Sequence, residues 1–129
     1  MYLSAVNHIA IICSDYEKSV DFYCRILGFQ VISQEYRAQR QSMMTKLSLN
    51  GEYLLELFTF PDSVKRASYP EACGLRHLAF SVPDIQEVLD ELDAIPYPHE
   101  PLREISADER LFFMMDPDGL PIEIVEKKS

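Results

Sequence analysis

Asn7-His-Ile-Ala-Ile-Ile-Cys-Ser-Asp15 returns later in the chain as Arg76-His-Leu-Ala-Phe-Ser-Val-Pro-Asp84, with His, Ala and Asp at the same offsets. Each is a short apolar, β-branched run that stops at a helix-starting signal, so each predicts a strand leading into a helix. The agreement marks an internal duplication. The far ends agree as well. Leu55-Glu56-Leu57 answers Ile122-Glu123-Ile124, and His and Glu stand 48 residues apart in the first half (8 to 56) and 46 in the second (77 to 123). Each half opens on a His and closes on a Glu set in a strand.

Outward from the first copy, Ser14-Asp-Tyr-Glu17 reads as a capping box. Val20, Tyr23, Ile26 and Leu27 then recur at helical spacing and Gly28 is placed to end the helix, which predicts a helix from Tyr16 to Leu27. Strands follow at 29–35, 43–49 and 53–60, the last two joined by Asn50-Gly51, a strong hairpin signal. The first half thus reads strand, helix, three strands. Residues 61–75 have the Pro, Ser, Lys and Arg composition of a connector, with room for a helical turn around Ser63 to Ala67.

In the second copy Asp84 opens a helix with Ile85, Val88, Leu89 and Leu92 on one face. The prolines from Pro96 to Pro101 limit any strand there to an edge. Strands at 110–115 and 120–126 flank the turn Asp116-Pro-Asp-Gly119. The expectation is an α+β fold of two βαβββ modules, 5–60 and 76–127, joined by a linker at 61–75 in a single domain of 129 residues.

The chain carries 12 Lys+Arg against 21 Asp+Glu, a net charge of −9, which argues against nucleic acid and anionic membrane surfaces as partners. No run reaches the roughly 18 apolar residues of a membrane helix and the start lacks a signal-peptide pattern, so a cytoplasmic protein is expected. Cys13, Cys24 and Cys73 are odd in number and widely spaced. That pattern suggests small buried hydrophobes rather than disulfides or a zinc ribbon.

Strand parity decides where the His and Glu side chains point. Ile9 and Ile11, Leu55 and Leu57, Leu78 and Phe80, and Ile122 and Ile124 make one apolar face, on which the helices should pack. His8, Glu56, His77 and Glu123 all have the opposite parity and are expected to line the concave side of a curved sheet. Burying two carboxylates without counter-charge costs several kcal/mol, on the order of what a mutation needs to unfold a small domain, and few basic residues are placed to offset it. One divalent ion satisfies all four. Two imidazoles and two carboxylates suit Ni, Zn, Co, Mn or Fe(II), and open positions would leave room for a small-molecule substrate. A polarised carbonyl has an acidified neighbouring C–H, whose proton a carboxylate at the metal can shuttle.

With these elements in place the chain resembles the vicinal oxygen chelate (VOC) superfamily, and within it the glyoxalase I-like, lactoylglutathione lyase-related branch. The motifs are His8-Ile-Ala-Ile, Asp21-Phe-Tyr-x-x-x-Leu-Gly28, Leu55-Glu-Leu-Phe58, His77-Leu-Ala-Phe-Ser-Val82 and Asp116-Pro-Asp-Gly-x-x-Ile-Glu-Ile124. The resemblance implies paired βαβββ modules curling around a metal, and a homodimer whose sites are completed at the subunit interface. It also implies isomerisation of an α-oxo hemithioacetal, such as that of methylglyoxal and glutathione, with a ligand Glu as base. By position that base is Glu123 or Glu56, with Glu123 preferred. Two other readings belong to the same superfamily. Ring-cleaving dioxygenases use two His and one Glu around Fe(II), so a fourth ligand speaks against them. Metal-free drug-binding resistance proteins are acidic like this chain but have no need of four ligands, and this chain has no Trp to stack on an aromatic drug. Arg37, Arg40, Arg76 and Arg103 are candidates for an anionic substrate or plain surface residues, His99 reads as a loop residue rather than a ligand, and Tyr53 and Phe113 either wall the cleft or pack.

Overall fold

Strand β1 (Ile9–Ile12) runs parallel to a partner more than forty residues away, β4 (Glu52–Phe58), with Ile9 opposite Leu55 and Ala10 opposite Glu56. Between them come helix α1 (Tyr16–Asp21) and strands β2 (Gln30–Arg37) and β3 (Ser42–Leu49), and the sheet order is β1-β4-β3-β2. The coordinates, a computed structural model, describe residues 1–128. Those residues divide into two units, Met1–Lys65 and the residues from Arg66 onward.

The second unit repeats the pattern. β5 (Leu78–Val82), α2 (Ile85–Ala94), β6 (Arg103–Ser106), β7 (Glu109–Met115) and β8 (Pro121–Glu126) give the order β5-β8-β7-β6, with β5 parallel to β8. Each unit is a βαβββ module with a four-stranded mixed sheet, and the architecture is α+β.

The apolar parity class is the packed one. Ile11, Leu55 and Leu57 are buried in the first unit with Phe22, Tyr23 and Leu47 from the helix and β3. In the second, Leu78, Ile122 and Ile124 are buried with Ile85, Leu89 and Leu92 of α2 and Phe112 of β7. Tyr16 fixes α1 further, its hydroxyl meeting Thr45 Oγ1 at 2.5 Å and accepting from Gln34 Nε2 at 2.7 Å.

Several local features depart from the expectations above. The N-cap of α1 is Asp15 rather than Ser14, its carboxylate accepting from Lys18 N at 3.1 Å. An ionised oxygen at that place also faces the positive end of the helix, which a hydroxyl does less well. The helix changes character after Asp21. Leu27 N–H reaches back five residues to Phe22 O (3.1 Å), and Phe29 N–H reaches Tyr23 O (2.9 Å) as Gly28 turns at φ 87°. Asn50 (φ 52°) and Gly51 (φ 84°) are both left-handed, as a two-residue hairpin loop with matching twist requires.

The suggested helical turn at Ser63 to Ala67 is absent. Turns occupy 61–62 and 68–71 instead, because Pro61 and Pro70 interrupt helical hydrogen bonding on both sides. Strand β6 has no counterpart among the expected elements. Its four residues, Arg-Glu-Ile-Ser, are all exposed and carry no alternation, and only pairing with β7 makes them a strand. The cysteines are also not uniformly buried: Cys13 is, Cys24 is partly so, and Cys73 in the connector is exposed. No described helix is long and apolar enough to cross a membrane.

Candidate metal centre

Parallel pairing of first and last strands brings each His to its Glu. In the first unit His8 immediately precedes β1 and Glu56 lies on β4 opposite Ala10, so both point to the face away from Leu55 and Leu57. His8 Nε2 is 3.9 Å from Glu56 Oε2. In the second, His77 precedes β5 and Glu123 lies opposite Ala79, with His77 Nε2 2.9 Å from Glu123 Oε1.

The orientation of His8 is informative. Its Nδ1 lies 2.7 Å from Asn7 Oδ1, and the ring is turned so that Nε2 faces Glu56. The carboxylate it faces is only 8% exposed. Donors about 2.1 Å from one ion are about 3.0 Å apart at a right angle and about 4.2 Å apart when opposed, so both observed separations suit two ligands sharing an ion. In the second unit His77 Nδ1 is buried with no hydrogen-bond partner, which leaves Nε2 as the working nitrogen. Each unit supplies a pair, and among the described residues no group of three or more His, Cys, Asp or Glu side chains is assembled.

Glu56 has company that strand counting did not reveal. The Tyr53 hydroxyl donates to Glu56 Oε2, and the Tyr53 ring stacks on His8 with centroids 5.2 Å apart and planes 22° apart. Burial first, then the bond to Glu56 and its charge, push the Tyr53 phenol up to about 12, which keeps it a donor. Lys46 lies directly opposite Glu56 across β3–β4, with Nζ 5.4 Å from the Tyr53 ring centroid. The expectation of scant positive charge on this face is corrected by that residue, which occupied an unremarkable place in a strand until its partner was known.

Beside His77 the second unit has a cleft of about 740 Å³, within the usual range for small-molecule sites, walled by Tyr97, His99, Phe113, Met114, Arg76 and Arg103 among others. The Phe113 ring meets His77 edge-on at 5.3 Å, and the Arg103 guanidinium lies 5.3 Å over it. Of the four candidate arginines, Arg76 and Arg103 line this cleft and pair with Glu71 (4.0 Å) and Glu100 (3.5 Å), whereas Arg40 sits over the Phe60 ring and Arg37 ends β2. Both His99 nitrogens are engaged, with Glu100 O and Asp93 Oδ1 at 2.8 Å each. The backbone bond first and then Asp93 raise its pKa, and with both ring nitrogens engaged it is not placed as a metal ligand.

The Glyoxalase/Bleomycin resistance protein/Dioxygenase superfamily model matches residues 5–124. The chain is 50% identical over 128 residues to the uncharacterized protein YwkD of Bacillus subtilis (strain 168), covering 98% of this chain and all of that one. It is 25% identical to a lactoylglutathione lyase of Pseudomonas putida, over 93% of this chain and 83% of the relative. Among solved structures, a glyoxalase family protein from Enterococcus faecalis superposes with TM-score 0.88 at 38% identity, covering 98% of this chain and 100% of that one. The fosfomycin resistance protein FosX of Listeria monocytogenes shares the fold, with TM-score 0.76 at 18% identity over 98% and 96% of the two chains. The chain belongs to the Glyoxalase/Bleomycin resistance protein/Dioxygenase, or vicinal oxygen chelate, superfamily.

Proposed function

We propose that this protein is a divalent-metal-dependent lyase/isomerase of the glyoxalase I type, acting on an α-oxo (hemi)thioacetal or a related carbonyl substrate by proton transfer. The observation that carries this reading is the repeated His–Glu pair, with His8 Nε2 3.9 Å from Glu56 Oε2 and His77 Nε2 2.9 Å from Glu123 Oε1. His8, Glu56, His77 and Glu123 are the proposed ligands, and one ion of Ni, Zn, Co, Mn or Fe(II) per four-ligand site is the proposed cofactor. Bound there, the ion supplies Lewis-acid polarisation of a substrate carbonyl.

The protein's own groups do the rest. Glu123 takes the proton from the carbon bearing hydroxyl and sulfur and returns it to the adjacent carbonyl carbon, while the hydroxyl hydrogen passes from one oxygen to the other. The sum is an isomerisation, with no oxidant or reductant consumed. The cleft beside His77 takes the substrate body, and Phe113 and Tyr97 exclude water from one side. The proposed assembly is a homodimer, so that every complete site draws on two His–Glu pairs, and the proposed location is the cytoplasm.

Metal analysis and an isomerisation assay with Ni, Co, Mn and Zn tested separately decide the matter. Turnover of a hemithioacetal in at least one form is expected. Inert protein that cleaves catechols with Fe(II) would establish the dioxygenase reading instead, and tight binding of a cationic aromatic drug by metal-free protein would establish the resistance-protein reading. Light scattering on the eluting protein checks the dimer.

A further inference from the structure

The two half-sites differ in what holds their carboxylates, and the difference is written into the backbone. Along a regular strand Tyr53 and Glu56, three residues apart, face opposite sides. Here they face the same side, because Leu47 pairs with Leu55 while Ser48 pairs with Tyr53, leaving Leu54 as an extra residue in β4. This bulge turns Tyr53 over to the His8–Glu56 face, where its hydroxyl reaches Glu56 Oε2 and its ring stacks on His8. Bulges commonly re-aim a side chain in this way beside a site. In the second unit β7 and β8 stay in unbroken register from Leu111–Val125 to Met115–Pro121. The ring beside His77 is Phe113, which has no hydroxyl, and the single polar partner of the Glu123 side chain among the described residues is His77 Nε2.

We propose that Tyr53 is a positioning residue that fixes Glu56 as a permanent ligand, so that the two carboxylates divide the work: Glu56, held from outside its His–Glu pair, stays a ligand, and Glu123, contacted by His77 alone among the described residues, carries the proton. The inference rests on the metal reading above. A carboxylate with one oxygen bonded to a stacked phenol has a single orientation available, and the His8 ring on which that phenol lies is fixed with it. Outer partners of this kind orient ligands, and their loss typically weakens metal binding about 10–100-fold.

The test is Co(II) affinity by titration calorimetry, with the visible spectrum of the bound ion, on wild type, Tyr53→Phe, Glu56→Ala and the double variant. Tyr53→Phe keeps the stacking ring and removes only the hydroxyl. It should weaken Co(II) binding about 10–100-fold and alter the spectrum, while the melting temperature of metal-free protein stays within about 2 °C. In the Glu56→Ala background, which leaves the hydroxyl no carboxylate or amide to orient, the same change should have no further effect, which a merely structural role would not reproduce. Affinity within about twofold of wild type in Tyr53→Phe, or an undiminished loss in the Glu56→Ala background, overturns the proposal. The metal reading fails separately, and takes this proposal with it, if protein lacking both His8 and His77 still binds the ion.

Discussion

Glu123→Gln is the change that separates chemistry from binding. The side chain is 16% exposed and its polar contact is His77 Nε2 at 2.9 Å, so an amide of the same shape can set its oxygen where Oε1 now lies. Packing is preserved, and stability should change little. What disappears is one negative charge and the ability to accept a proton from carbon. A positioned general base contributes about 10²–10⁴-fold, which at about 1.36 kcal/mol per decade is roughly 2.7–5.4 kcal/mol of transition-state stabilisation. The variant should therefore lose about two to four decades of kcat at saturating metal with KM within a few fold. Steady-state turnover of a hemithioacetal is the assay, run on protein whose metal content is matched to wild type. A kcat within about threefold of wild type at equal metal content would refute the assignment of Glu123 as base.

His8→Ala combined with His77→Ala should reduce the bound divalent ion to background by elemental analysis, and chelators should then no longer lower the melting temperature, as they should in wild type. Glu126, held by Arg110 (2.9 and 3.0 Å) and by the first amide of α2 (Ile85 N, 3.0 Å), has its carboxyl lowered from 4.5 to about 2. A depressed folded-state value stabilises the protein above the unfolded value, and this contribution fades as the pH falls from about 4.5 through about 2. Arg110→Met should therefore flatten the acid limb of a urea-unfolding series, and an unchanged limb would count against the pairing. Leu57→Ala empties a fully buried site in the first unit and should cost about 2–5 kcal/mol in chemical unfolding.

Most of the architecture was legible because it depended on local chemistry or on repetition. Asp84, Gly28 and Asn50-Gly51 announce their turns and caps whatever surrounds them, and the duplicated His and Glu strands checked one another. Parity alone placed His8 with Glu56 and His77 with Glu123 on the face away from the helices. What escaped was set by pairing. β6 is a strand because β7 offers its edge, and nothing in Arg103-Glu-Ile-Ser106 says so. Tyr53 counts onto the apolar side of β4 until the extra residue at Leu54 reverses it, and a bulge of that kind leaves no mark in the order of side chains. Lys46 became relevant only through its cross-strand position against Glu56. The four proposed ligands are legible as two His–Glu pairs, one in each unit.

The parallel pairing of each unit's opening and closing strands has a consequence for the order of events during synthesis. A chain emerging N-terminus first exposes His8 well before Glu56 exists, and His77 well before Glu123. Neither half-site can form until its final strand slides in beside its first, the contact with the greatest separation along the module and the one with the largest loop to close. The proposed ion, which needs each His beside its Glu, would be retained only once both closing strands are in place. Loading would then report completion, and a chain that stops short of β8 would lack the Glu123 on which the proposed site depends.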